Sequence, residues 1–232
     1  MARPLTVSDE EILRAARKVI VLRGPDGFSI AEVANEVGLS RAAIILRFES
    51  THALKVASMG KLVEQFAEAL ETLPKTASGD NALRVAAFIG SYVRTRESSL
   101  RFFSNYCTSS VRDPELLELE RRRGKALHAA ISRVMPETPI DHDATVDAFR
   151  AHLTGSIIAW LGLDDSDSRR YVVMRSAEWL RLSRIPFSEQ VVKELLTPQA
   201  TNTTPVPSES ARSKTARTAK PSARRSKSVG PR

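Results

Sequence analysis

Apolar residues recur at helical spacing through most of the chain, and no stretch alternates with the two-residue period of a strand. This pattern predicts an all-α protein. Near the N-terminus, Ile12, Ala16, Val19 and Ile20 form a stripe that opens after Ser8 and Glu11, spaced as a capping box, and stops at Arg23-Gly24. Gly24-Pro25-Asp26-Gly27 is turn chemistry. Ser29 and Glu32 repeat the capping-box spacing and predict a second helix from about Ile30, continued by Val33, Ala34 and Val37. Gly38 then stands where a left-handed residue ends a helix. Ser40 is a good N-cap for a third helix, whose Ile44 and Phe48 share one face while Arg41 and Arg47 point elsewhere. Two short helices across a tight glycine turn, with a third to complete a small core, have the layout of a helix-turn-helix, whose second helix reads the major groove. A plain helical hairpin has the same spacing.

Beyond this head every element reads as helix. One spans about 51–73, with Leu54, Met59, Phe66 and Leu70 inward and Gly60 as a weak point; 74–80 (PKTASGD) is a break. A helix follows through Leu83, Ala87 and Gly90, with Phe88, Ile89 and Tyr92 among its apolar members, and another helix or kinked pair lies near 99–109. Asp113-Pro114 sets a helix start, with Leu116, Leu119, Leu127, Ile131 and Val134 as its stripe. The last two helices, about 141–163 and 166–184, carry large apolar residues on more than one side and need more than one partner surface, either a core within the domain or a second copy.

From Ile12 to about Leu54 the segments ILRAARKVIVLRG, FSIAEVANEVGLS and RAAIILRFESTHAL resemble the DNA-binding domain of the tetracycline-repressor (TetR) family. The resemblance implies a helix-turn-helix head over 1–55, a helical effector-binding and dimerising body over 56–197, and a tail over 198–232. It implies a homodimeric regulator, usually a repressor, that binds double-stranded DNA at a palindromic operator and answers to a small-molecule effector. The DNA-facing set is then Ser29, Ser40, Arg41, Ala42, Ala43, Ile45, Leu46, Arg47 and His52. Members usually carry a hydroxylated residue where Ala43 stands, an aromatic where Ile45 stands and Lys where Thr51 stands, residues that typically hold phosphates. Here Ile45 and Leu46 add apolar surface, leaving Ser40, Arg41, Arg47 and His52 as polar candidates. The last two helices would pair with their copies through Phe149, Leu153, Ile157, Trp160, Tyr171, Met174 and Leu180. An effector cavity in the body would draw on Phe88, Tyr92, Phe102, Phe103, Tyr106, Cys107 and Trp160, although aromatics at such spacing also fill plain cores.

Charge changes the picture only at one end. The net charge of +8 is almost wholly in residues 198–232, where eight Lys and Arg face one acid, Glu209. That segment is rich in Ser, Thr, Pro and Ala and poor in large apolar residues, a composition that predicts a disordered basic tail, suited to phosphate contact or simply to solubility. The most hydrophobic run, 156–163, is too short to span a bilayer, and no apolar leader core follows Met1, so a soluble cytoplasmic protein is expected. Cys107 is the sole cysteine, and His52, His128, His142 and His152 have no partner at metal-ligand spacing, so neither disulfide nor metal is expected. No nucleophile elbow, phosphate loop or dinucleotide fingerprint occurs, so neither enzyme nor cofactor is expected. Two rival readings stand beside the regulator: a ligand-sensing or protein-binding dimer with a degenerate head, and a nonspecific nucleic-acid protein driven by its tail.

Overall fold

Side-chain caps start almost every helix. In the computed structural model, which describes residues 7–92, 112–163 and 167–197, α1 (Asp9–Arg23) opens on a complete capping box: Ser8 Oγ accepts from Glu11 N at 3.2 Å and Glu11 accepts from Ser8 N at 2.8 Å. The box expected at the start of α2 (Ile30–Val37) does not form, since Ser29 makes no side-chain cap. Glu32 is taken instead by the Arg23 guanidinium, at 3.2 and 3.3 Å. Gly38 ends α2 at φ +69°, and the Leu39 amide donates back to the Ala34 carbonyl at 3.0 Å, closing a left-handed helix end that L side chains adopt only with strain. Ser40 caps α3 (Arg41–Phe48) by accepting from Ala43 N, and Ser50 caps α4 (Thr51–Glu71) by accepting from Ala53 N. Between them Glu49, at φ 67° and ψ −44°, sits in a γ-turn closed by Ser50 N donating to Phe48 O at 2.7 Å.

Ile12, Ala16, Val33, Ala34, Ile44 and Leu54 are buried together, so α1 to α3 and the first turns of α4 share one small core. A second cluster, Ile20, Met59, Val63, Leu116 and Leu119, joins the end of α1 and the middle of α4 to α6 (Pro114–Val134). The head therefore rests on the body through apolar packing. Arg133 on α6 adds a polar tie, donating to Glu71 at 2.6 Å and to the Leu70 carbonyl at 3.3 Å.

The main core lies between α4, α5 (Gly79–Ser91), α6, α7 (His142–Leu161), α8 (Ser168–Leu182) and α9 (Glu189–Leu196). At the end of α5, a Cβ on Gly90 would lie 2.6 Å from Arg169 Cα, so only glycine lets α5 approach α8 this closely. Ser168 Oγ, buried at the same place, donates to the Gly90 carbonyl at 2.8 Å. α9 has no counterpart among the helices that the apolar pattern predicts. It starts at the Ser188 cap, and Val191, Val192 and Leu195 bury its inner face in the same core. The helix expected near 99–109 and the tail lie outside the described residues.

Candidate functional site

The surface of α3 follows from its two anchors. Ile44 is completely buried, with Ala43, Ile45 and Phe48 half-buried beside it, so the helix turns Arg41, Ala42, Leu46 and Arg47 outward. Leu46 is 87% exposed. The Ser40 hydroxyl is already engaged as the helix cap. Ser29, expected near DNA, is half-buried at the start of α2.

Two of the expected DNA-facing polar residues have partners within the chain. Arg47 turns back to the start of α1, donating through Nη1 to the Val7 carbonyl at 2.5 Å and lying 3.4 Å from Asp9. It braces α3 against α1 while remaining exposed. His52, in the first turn of α4, faces α6: its Nε2 is 2.7 Å from Glu115 and its Nδ1 3.5 Å from Asp113. Asp113 is itself the N-cap of α6, accepting from the amides of Glu115 and Leu116. His52 thus tethers head to body. Its three residues carry metal-ligand types, a grouping that neighbour spacing could not reveal, but the two carboxylates oppose different nitrogens of the ring and do not converge on one. Arg41 is left as the exposed cation at the start of α3, where the free amides of the helix end also favour an anion.

In the body, Phe88 and Tyr92 meet Phe66 in a ring cluster: Phe66 lies 5.9 Å from Phe88 and 5.1 Å, edge-on, from Tyr92, with 5.8 Å between the last two. The Arg123 guanidinium sits 5.7 Å over the Phe66 ring. The apolar pattern marks Phe66 only as core; the fold brings it under Arg123. Phe102, Phe103, Tyr106 and Cys107 lie outside the described residues. Trp160 is buried, its indole N–H has no hydrogen-bond partner, and none of the described ring contacts joins it to the cluster.

The residues expected between two copies are mostly spent within one. Phe149, Leu153, Ile157, Trp160 and Leu180 are buried by the chain's own helices. Phe149, for instance, packs on Trp179 at 4.9 Å. Tyr171 is half-buried and Met174 is exposed. The free side of α7 is the opposite one: Ala144, Ala148, Ala151, Gly155 and Ile158 are exposed at helical spacing, and α8 exposes Met174, Glu178 and Leu182. No helix among the described residues is long and apolar enough to cross a membrane.

Residues 12–57 match the family described as bacterial regulatory proteins, tetR family. No curated protein matches the chain. Among solved structures it is similar to a transcriptional regulator from Rhodococcus sp. Rha1, at 17% identity over 78% of this chain and 100% of that one, with a TM-score of 0.62. A TetR transcription regulator from Haloarcula marismortui is 15% identical over 75% and 96% of the two chains, TM-score 0.64. A further regulator, from Saccharomonospora viridis and solved in complex with choline, is 18% identical over 74% and 94%, TM-score 0.61.

Proposed function

Through residues 12–57 this chain belongs to the TetR family of bacterial regulatory proteins, DNA-binding proteins without catalytic activity, and we propose that it works as a homodimeric repressor on a palindromic operator, modulated by a small-molecule effector. The observation that carries the reading is α3 itself. It is a capped helix that follows a left-handed glycine turn, is anchored by Ile44, and presents its first turn and Leu46 to solvent as a groove-reading helix requires. The head, residues 1–55, makes the DNA contact, and the body, 56–197, senses and dimerises. In the body the cluster of Phe66, Phe88 and Tyr92 supplies flat apolar walls for the effector, beside an Arg123 guanidinium that is itself paired with Glu120. The partner copy docks on the exposed face of α7 and α8. A bound effector acts by favouring one spacing of the two heads, which it does only through different affinities for the two states. Such a protein works in the cytoplasm, on the chromosome.

The test is selection of bound fragments from random duplex DNA by the full chain. An enriched palindrome is the expected result, and a compound that both raises the melting temperature and releases that fragment identifies the effector. A ligand-sensing dimer without sequence-specific binding is the second reading, favoured by the internal engagement of Arg47 and His52, and it predicts no enriched sequence.

A further inference from the structure

We infer that α3 reads thymine by its methyl group, with Leu46 as the specificity-determining side chain and Ala42 beside it; the inference rests on the DNA-binding reading above. Elimination along the outward face leads there. A helix in the major groove distinguishes bases by hydrogen bonds to their edges or by apolar contact with the C5-methyl of thymine. On α3 the polar means are few. The Ser40 hydroxyl accepts from Ala43 N, Arg47 is held by Val7 and Asp9, and His52 is held by α6. Arg41 stands at the very start of the helix, among free amides that suit a phosphate.

Apart from Arg41 and the internally paired Arg47, what faces outward is apolar. Ala42 and Leu46 are four residues apart, one turn of the same face, and both are exposed, with the half-buried Ile45 alongside. A leucine with 87% of its surface in water gains nothing from the head's own core, which is completed by the buried Ile44. Its natural complement in a groove otherwise lined by polar edges is the thymine methyl. Arginine-to-guanine readout, the commonest specific contact, has no donor at position 42, 45 or 46.

The experiment uses the full chain and the duplex selected as above, with each thymine replaced in turn by uracil, which removes the methyl and leaves every hydrogen-bonding edge intact. Affinity is read by fluorescence anisotropy. At one or two thymines in each half-site, loss of the methyl should weaken binding about fourfold, the factor corresponding to ~0.8 kcal/mol for one buried carbon group. Leu46→Ala should fold normally, because the side chain is exposed, and should bind thymine and uracil duplexes alike. An enriched site at which every uracil duplex binds as tightly as its thymine parent overturns this inference while leaving the regulator standing. So does a Leu46→Ala protein that keeps the full preference. If no sequence is enriched, the regulator reading falls and this inference falls with it; capture of a protein by the Leu46 face would then explain its exposure.

Discussion

His52 on α4 lies 2.7 Å from Glu115 on α6, a polar contact between the first turn after the reading helix and the first turn of a body helix. Both partners are largely exposed, so the contact adds little to global stability, where such pairs give about 0.2–1 kcal/mol. Its position matters more than its strength, because any shift of α4 relative to α6 must break or re-form it. His52→Ala should leave the unfolding midpoint almost unchanged and alter the factor by which effector changes DNA affinity. A cycle with Glu115→Ala checks this: the two substitutions should be non-additive in that coupling. Strict additivity would sink the tether.

The approach of α5 to α8 at Gly90 makes a sharper stability prediction. Alanine would gain roughly 1 kcal/mol of helix propensity, but its Cβ would lie 2.6 Å from the Arg169 backbone, which has no side-chain freedom with which to yield. Overpacking of this kind costs about 1–3 kcal/mol, and displacing the α5 end also strains the bond from Ser168 to the Gly90 carbonyl. Gly90→Ala should therefore lower the melting temperature by several degrees. Gly124→Ala on α6, where nothing lies within 4 Å of the new Cβ, should raise it slightly. Calorimetry of the two variants tests the sign in both directions.

The exposed side of α7 and α8 carries the third prediction. Gly155 has open space where a Cβ would stand, Ile158 is 56% exposed and Leu182 is 85% exposed, so substitutions there leave the single chain's core untouched. Ile158→Asp and Gly155→Leu should give helical, folded monomers in sedimentation at micromolar concentration, where the proposed function expects the parent chain to be dimeric. Persistence of the dimer in both variants would move the interface elsewhere. Trp160→Asp is not an equivalent test, because Trp160 is core and its loss costs folding itself.

Burial, and then the nearby Arg175 charge, hold His152 below its ordinary pKa of 6.5. The ring lies stacked 6.0 Å from Phe149 and tilted 6.0 Å from Trp179. The folded chain thus keeps this imidazole neutral to lower pH than the unfolded chain does. Its contribution is fully present above pH 6.5 and is lost as pH falls from there through the lower folded pKa. Between pH 8 and about 5.5 urea unfolding should show a loss of stability that His152→Gln reduces. Hydrogen bonds from Ser8, Arg133 and Arg150 hold the carboxyls of Glu11, Glu71 and Asp147 below their ordinary values, so these groups lose their contributions only in more acid solution. An unchanged pH slope in the variant would remove His152 from the acid response.

Where structure is decided locally, the sequence can be read directly. Ser8 with Glu11, Gly38, Ser40 and Asp113-Pro114 each act within four residues, and each ends or starts a helix where expected. The failures involve partners distant in sequence. Glu32 matches a capping box by spacing, but Arg23 on another helix competes for it. Arg47 and His52 read as polar groups available to DNA because their partners stand 40 and 63 residues away. On α7 and α8, apolar residues on several sides give no way to tell the inner face from the outer, and the larger side chains go inward. α9 escapes the pattern through its length: eight residues after Pro186 hold only one inward cluster, although Ser188 followed by Val191, Val192 and Leu195 is the available signal.

Residues 198–232 carry eight Lys and Arg against one acid, and their sequence gives them little apolar surface with which to choose a partner. Positive charge of this kind acts on any duplex, because phosphates are the same whatever the bases and each one neutralised releases a counterion. Deleting the residues after Thr197 should therefore weaken binding to the selected duplex and to random duplex by similar factors. The slope of log affinity against log salt should flatten by about 0.9 for each phosphate that the shortened chain no longer neutralises, while the preferred site stays the same. Leu46→Ala should do the reverse, changing the preference among bases and leaving the salt slope intact. Measured together, the two variants separate affinity from choice. Identical salt slopes for truncated and full-length chains would assign the tail's charge to something other than DNA.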